Sequence, residues 1–581
     1  MSHLPSTYQC SLSPPAHFFL FFSLLSRAYE EEVFQATSAL WWNPRGDSFA
    51  FLHFNETEVP VYEFSFYTKP YNQEFSYKYP KPGYPNSRVD LRTFNVTSRE
   101  TSVYDETIRA LVAYEYVVNV NWFDDARLLV RYSNRFQNEW SLVRIDATAA
   151  GGAVKLLSQR QTATYFEPHS CLTSLAPLPY YIDLVNVDDY LQLVLFAIAD
   201  GAQLQVLTRA SERQHSVLGL NAVTISASSN TAEVYYTRET VQTHGSVAVP
   251  TLWSVTVAAA ADQLSATAEP DSRPLVPYTT ADPTRLTWQS ASFGPSGRYL
   301  LVQESAIVPT STLYTIHADR TTSVLTVLAN NTALIDEVRA TYELPRTTYM
   351  QIPSSIDGLM VTLQIMTPSG VNLDDGACSS RHPVLMYAYS GPGSQQATTV
   401  YPFTYGSTAS FHSVLVSQYN YIIVVVDTIG TAGKGENYRQ SHTYMKLGQR
   451  EREDILRTAN WIKQQCWTET DRLSYWGWSY GGFMTSFTAA AGSQLFNHLI
   501  SVAPVTSWEL YDSIYTERYM RTPVANRAGY DNSSVIQAAS TQFDASAWKL
   551  FHGTADDNVH FQNSMLLVST HAHITSKARV E

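Results

Sequence analysis

The sequence predicts two domains of different class, a β-propeller followed by an α/β domain on a mostly parallel sheet, and three observations carry that prediction. Residues 29–344 are a succession of short strand candidates between turn signals, with almost no helical periodicity. Within them one phrase recurs: an aromatic residue, a polar turn, then an apolar strand. From about residue 345 continuous apolar runs alternate with helix-like stretches, the pattern of strands buried on both faces.

The chain of 581 residues is long enough for more than one domain. Residues 1–28 stand apart. The apolar run His17-Phe18-Phe19-Leu20-Phe21-Phe22-Ser23-Leu24-Leu25 has the character of a signal sequence, yet no Lys or Arg precedes it. It is also shorter than the ~20 residues that span a bilayer. The segment is therefore expected to be signal-like or unrelated to the fold. The recurring phrase appears first at Trp41-Trp42-Asn43-Pro44-Arg45-Gly46-Asp47-Ser48-Phe49-Ala50, again at Trp122-Phe123-Asp124-Asp125-Ala126-Arg127-Leu128-Leu129-Val130, and again at Ser292-Phe293-Gly294-Pro295-Ser296-Gly297-Arg298-Tyr299-Leu300. Repetition at tens of residues ranks propeller blades ahead of a set of β-sandwiches.

In the second region, 345–581, Pro383-Val384-Leu385-Met386-Tyr387-Ala388-Tyr389 and Tyr421-Ile422-Ile423-Val424-Val425-Val426-Asp427 read as buried strands. Residues 451–463 place Ile455, Leu456, Ala459 and Ile462 at helical spacing. Arg472-Leu473-Ser474-Tyr475-Trp476 then reads as a strand, and Phe483 to Ala491 as a helix stopped by Gly492. Between them lies Gly477-Trp478-Ser479-Tyr480-Gly481-Gly482. A strand-to-helix turn this tight needs glycines on both sides of its serine. In a nucleophile elbow that serine projects above the sheet, and the next N–H, from Tyr480, faces the oxyanion. Strand, helix and elbow together describe an α/β hydrolase.

Composition removes other function classes. A net charge of −13 disfavours nucleic acid and anionic membranes as partners. Charged residues are 16% of the chain against 37 Tyr, 25 Phe and 12 Trp, a balance typical of large β-rich extracellular proteins. Cys10, Cys171, Cys378 and Cys466 lie far apart, which allows one or two disulfides and gives no metal-ligand pattern. Sequons at Asn55, Asn95, Asn330 and Asn532 are compatible with secretion.

Several motifs together are specific. Tyr29-Glu30-Glu31-Glu32-Val33-Phe34, Trp41-Trp42, Tyr389-Ser390-Gly391-Pro392, WGWSYGG at 476–482, WELYDSIYTERYM at 508–520 and HGTADDNVHF at 552–561 resemble the dipeptidyl peptidase IV family of the prolyl oligopeptidase clan, over residues 29–564. The resemblance implies an eight-bladed propeller, incomplete here, on an α/β hydrolase. It implies release of N-terminal dipeptides whose second residue is Pro or Ala, with no cofactor and no metal. By position, Ser479 matches the nucleophile, Asp556 the triad acid, and Tyr389 and the Tyr480 N–H the oxyanion donors. Glu31 and Glu32 match the pair that binds the substrate ammonium. Val505, Trp508, Tyr511, Tyr515 and Val559 match the pocket for proline, and Asn558 a polar contact to the substrate carbonyl. Without the resemblance, Glu30 to Glu32 read as a solvated acidic turn, and Tyr511 and Tyr515 as the core face of a helix.

The chain also departs from that family. The family's catalytic histidine lies some thirty residues past the acid. His571 and His573 fall instead in what is the intervening helix, and from Met565 onward the sequence is expected to diverge. At the other end the likeness is expected to begin abruptly at Tyr29, without early blades, membrane anchor or an arginine that supports bound substrate. Thr428-Ile429-Gly430 stands for the usual Gly-Arg-Gly, and His498 where a disulfide cysteine is common. The chain as written is thus expected to be inactive. A full-length counterpart is expected to be an extracellular or plasma-membrane homodimer, and a non-catalytic binding relative is the other reading.

Overall fold

The computed structural model describes residues 27–577 apart from 148–151, 169–170, 227–229, 242–247, 259–269, 276–288, 295, 305–307, 372, 374–377, 379, 399–405, 492–493, 540–542 and 544–546. The signal-like run at 17–25, Cys10 and Gly492 lie outside the described residues.

The recurring phrase is a hairpin. Trp41-Trp42 and Ser48–Asn55 pair antiparallel, as do Tyr116–Trp122 with Arg127–Ser133 and Gln289–Phe293 with Tyr299–Glu304. Its polar turn closes on a side chain: Asn43 Oδ1 accepts the N–H groups of Gly46, Asp47 and Ser48, and Asp124 Oδ1 those of Ala126 and Arg127. Each hairpin opens a four-stranded antiparallel sheet. Among the described residues five such sheets follow one another, at 40–103, 116–161, 173–206, 217–274 and 289–329. These are propeller blades. The first carries an insert between its second and third strands, a two-stranded arm of Val61–Phe66 against Gln73–Lys78. Helix is sparse across these blades, as expected, but present: Asp105–Leu111 and Thr332–Thr341.

The second region is a seven-stranded sheet in the order Arg346–Pro353, Met360–Thr367, Ile422–Asp427, His382–Ala388, Thr468–Trp478, His498–Val502, Trp548–Phe551. The first two are antiparallel additions, and the remaining five run parallel. Every residue of the two apolar runs at 382–388 and 422–427 is buried, because helices cover both faces of the sheet. Gln449–Lys463 packs Ile455, Ala459 and Ile462 into this core. Cys378 and Cys466 form a disulfide, and Cys171 is a buried free thiol that burial pushes up to about 12.

All four sequon asparagines are exposed. Among the described residues no helix is long and apolar enough to cross a membrane.

Candidate active site

Trp478 ends the central strand and Tyr480 begins the helix Tyr480–Ala489, leaving Ser479 alone in the turn at φ 59°. That conformation is costly for a residue with a Cβ and persists only where the surroundings impose it. The glycines let them do so. A Cβ on Gly481 would sit 2.5 Å from the Ala388 carbonyl and one on Gly482 2.5 Å from that of Val502, while one on Gly477 would run into the Gly481 backbone. Two hydrogen bonds pin the turn, Ser479 N–H to the Val502 carbonyl at 2.9 Å and Phe483 N–H to the Ser479 carbonyl at 2.9 Å.

Tyr389 follows the end of the neighbouring strand, and its buried phenol is close enough to Ser479 for the serine side chain to act on it. Burial raises that phenol, the Ser479 side chain lowers it and the Glu32 carboxylate raises it. The Tyr480 N–H lies in the first turn of its helix, where no intrahelical carbonyl is available. The phenol and this N–H thus both lie beside Ser479. The Tyr480 side chain points the other way, donating to Glu451 Oε1 at 3.0 Å.

Burial pushes Glu451 up to about 7 from the ordinary 4.5. A carboxyl raised on folding takes up a proton, so its contribution to stability is complete below about 4.5 and is lost as pH rises through about 7. The thermal midpoint should fall as pH is raised from about 5 to about 8, and Glu451→Gln, neutral throughout, should flatten part of that slope in calorimetry. A slope identical in both proteins would remove Glu451 as its source.

The five residues matched to a proline pocket meet in one apolar cluster with Tyr389 and Tyr480. Trp508, buried in the short turn Trp508–Leu510, stacks on Tyr515 at 5.9 Å, and Tyr515 meets Tyr511 edge-on at 5.4 Å. Tyr511 precedes the helix Ser513–Met520 rather than lying in it, so the two tyrosines do not form one helix face. The tyrosine hydroxyl of Tyr511 donates to Asn558 Oδ1 at 2.7 Å, which places Asn558 at the pocket's edge.

The acidic triplet is not a solvated turn. Tyr29 and Phe34 pack into the blade core, and Tyr29 accepts the Val117 N–H, which turns Glu30–Phe34 into a π-helical turn with its glutamates half-buried. Burial first, then the Asp512 carboxylate, raises Glu32 well above the ordinary range, and Arg518 opposes them. Arg518, on the same helix as Tyr515, donates to the Glu32 carbonyl, so this turn ahead of the first blade lies against the pocket helix of the other domain.

Two supporting residues escaped the sequence reading. Asp512 caps its helix by accepting the Tyr515 N–H, a position an Asp before a helical run signals. Arg518 reaches Gln137 Oε1 at 2.7 Å, the Glu32 carbonyl at 3.0 Å and Glu167 at 3.5 Å, partners hundreds of residues away that no local pattern reveals.

Asp556 sits in the turn after Trp548–Phe551. Its Oδ1 accepts the Asn558 and Val559 N–H groups at 3.1 and 3.0 Å. The imidazole beside its Oδ2, at 3.5 Å, is His552, another residue the sequence reading passed over. His571 and His573 fall within the helix Gln562–Lys577.

Both regions of the chain are similar to known proteins. A family profile described as the dipeptidyl peptidase IV N-terminal region matches residues 20–304, and one for the prolyl oligopeptidase family matches residues 407–576. These limits correct two expectations: the likeness begins before Tyr29, and it continues past Met565. A probable dipeptidyl peptidase 4 of Aspergillus flavus is 30% identical over 93% of this chain, which spans 66% of that relative. A probable dipeptidyl-aminopeptidase B of Ajellomyces dermatitidis is also 30% identical, with 94% of this chain and 58% of the relative covered. The crystal structure of Porphyromonas gingivalis dipeptidyl peptidase 4 superposes with a TM-score of 0.78 at 26% identity, over 95% of this chain and 71% of that one.

Proposed function

We propose that this chain, which belongs to the dipeptidyl peptidase IV family of the prolyl oligopeptidase clan, carries the substrate site and nucleophile of a serine exopeptidase that removes Xaa-Pro or Xaa-Ala dipeptides from free N-termini. One observation supports the reading: Arg518, on the helix that carries Tyr515, donates to the Glu32 carbonyl at 3.0 Å, which brings the glutamate turn to the aromatic cluster that also holds Tyr389 and Tyr480.

In this reading the substrate ammonium sits on the carboxylates, which counts two residues in from the chain end. The small ring or methyl of the second residue fills the space between Val505, Trp508, Tyr511, Tyr515 and Val559. Ser479 Oγ then bonds to that residue's carbonyl carbon and gives up its proton to a base. The carbonyl oxygen becomes an oxyanion held by the Tyr389 phenol and Tyr480 N–H. Collapse breaks the C–N bond, the rest of the peptide leaves as an amine carrying the proton the base gives back, and the acyl-enzyme that remains is resolved by water. Exposure of the sequon asparagines is in keeping with a glycosylated, extracellular or membrane-held protein, and a homodimer belongs to the same reading.

Calorimetric titration tests the substrate site without turnover. The dipeptide Ile-Pro should bind, N-acetyl-Ile-Pro should not, and Glu32→Gln should weaken Ile-Pro by roughly tenfold or more, the value of a charge-assisted contact. Equal binding of the acetylated dipeptide would overturn the reading. A binding protein without catalysis is the second reading, favoured by the setting of His552. Its Nε2 lies 2.8 Å from the Val559 carbonyl and its Nδ1 2.6 Å from Ser564 Oγ.

A further inference from the structure

The arm of the first blade does more than project from it. Its register pairs Tyr62 with Tyr77 and Phe64 with Phe75, so one face is a run of aromatic rings. That run ends on His560, four residues past Asp556. The His560 ring stacks on Tyr62 with centroids 3.5 Å apart and planes 9° apart, and lies 4.3 Å from Tyr79. No part of His560 is exposed.

The hydroxyls of the same tyrosines hold the backbone of the acid's turn. Tyr77 donates to the Asp557 carbonyl at 2.9 Å and lies 2.5 Å from His560 Nε2. Because the phenol proton goes to the carbonyl, the imidazole is the donor in the second contact. Tyr79 reaches the Asn558 carbonyl at 3.4 Å, and Lys81 donates to Gln562 Oε1 at 2.7 Å. The turn at 556–559 is therefore fixed from two sides: its N–H groups bind the Asp556 carboxylate, and its carbonyls bind a hairpin of the other domain. Asn558, the next link, accepts the Tyr511 hydroxyl in the pocket.

We propose that Tyr77, with His560 stacked beneath the arm, is a positioning residue that sets Asp556 and Asn558 relative to the pocket across the domain boundary. This rests on the reading of Asp556 and Asn558 as site residues. Its chemistry is independent of turnover, because Tyr77 acts on a carbonyl and not on substrate.

Tyr77→Phe keeps the ring and removes only the hydroxyl. In hydrogen–deuterium exchange of the 581-residue polypeptide, the Asn558 and Val559 amides should open about three- to tenfold faster in that variant, the loss of one hydrogen bond. Peptides from the helix Tyr480–Ala489 should be unchanged, which also reports that the variant is folded. With selective ¹⁵N-histidine labelling, the slowly exchanging His560 Nε2–H resonance should move or vanish in Tyr77→Phe, a signature that general loosening does not give. Unchanged exchange at 558–559, or equal acceleration in both domains, would overturn the proposal. Ile-Pro binding is read in parallel: loss of binding by the unmodified chain with the exchange result intact sinks the substrate reading alone, and unchanged exchange with binding intact sinks the positioning role alone.

Discussion

Purified and folded, the 581-residue polypeptide should hydrolyse a Gly-Pro anilide about four to six orders of magnitude more slowly than an active dipeptidyl peptidase assayed beside it, the usual effect of a triad without a working base. The reason lies in the imidazole that the fold places against Asp556. A triad base needs one ring nitrogen on the acid and the other turned to the serine. His552 has Nε2 near both Asp556 and the Val559 carbonyl, and Nδ1 against Ser564, with 1% of its side chain exposed. Neither nitrogen is left to take the Ser479 proton. The ring serves the turn instead, tying residues 552, 559 and 564 together. Steady-state release of the anilide at neutral pH, with Ser479→Ala as the blank, measures the effect. A rate within about tenfold of that peptidase would mean that another imidazole reaches Ser479 and that the triad is complete. If dipeptide binding survives while turnover is absent, this polypeptide is a binder built on an enzyme's site.

How much of this was legible in the sequence depended on how local the physics is. The elbow was readable because its constraint is local: a serine at positive φ between three glycines that could not carry a side chain. The hairpins were readable for the same reason, since Asn43 and Asp124 cap turns made by their immediate neighbours. Asp556 was locatable because a strand and a turn precede it. The glutamate turn was different. Nothing in Glu30-Glu31-Glu32 distinguishes a solvated run from a half-buried one. Tyr29 and Phe34 decide the matter by entering a core built from residues 50–145, and only family resemblance pointed to a role. The arm gave a signal that went unused, aromatic residues alternating in VYEFSF and QEFSYK about a polar turn. Its target, His560, is nearly five hundred residues further on. No periodicity reports such a contact, nor that of Arg518 with Gln137 and Glu167.

Arg135→Met should destabilise the contact between the two domains by about 3–5 kcal/mol, because it leaves a buried carboxylate without its cation. Arg135, from the second blade, grips Glu517 with two parallel bonds, Nε to Oε2 at 2.6 Å and the terminal nitrogen to Oε1 at 2.7 Å. Glu517 is fully buried, and its other donor is the Gly83 N–H at 2.7 Å. The next residue on the same helix, Arg518, holds the Glu32 carbonyl. One turn of Ser513–Met520 thus joins the pocket, the second blade and the acidic turn. A second substitution distinguishes a lost charge partner from lost packing. Glu517→Gln in the Arg135→Met background should recover most of the loss, since a neutral amide is far cheaper to bury than a carboxylate. Ile-Pro affinity should fall in Arg135→Met and return in the double variant, because the ammonium site and the pocket are held in register by this helix. A deficit not recovered by Glu517→Gln would mean that Arg135 contributes through its methylene contacts, and that the two halves of the site are held together elsewhere.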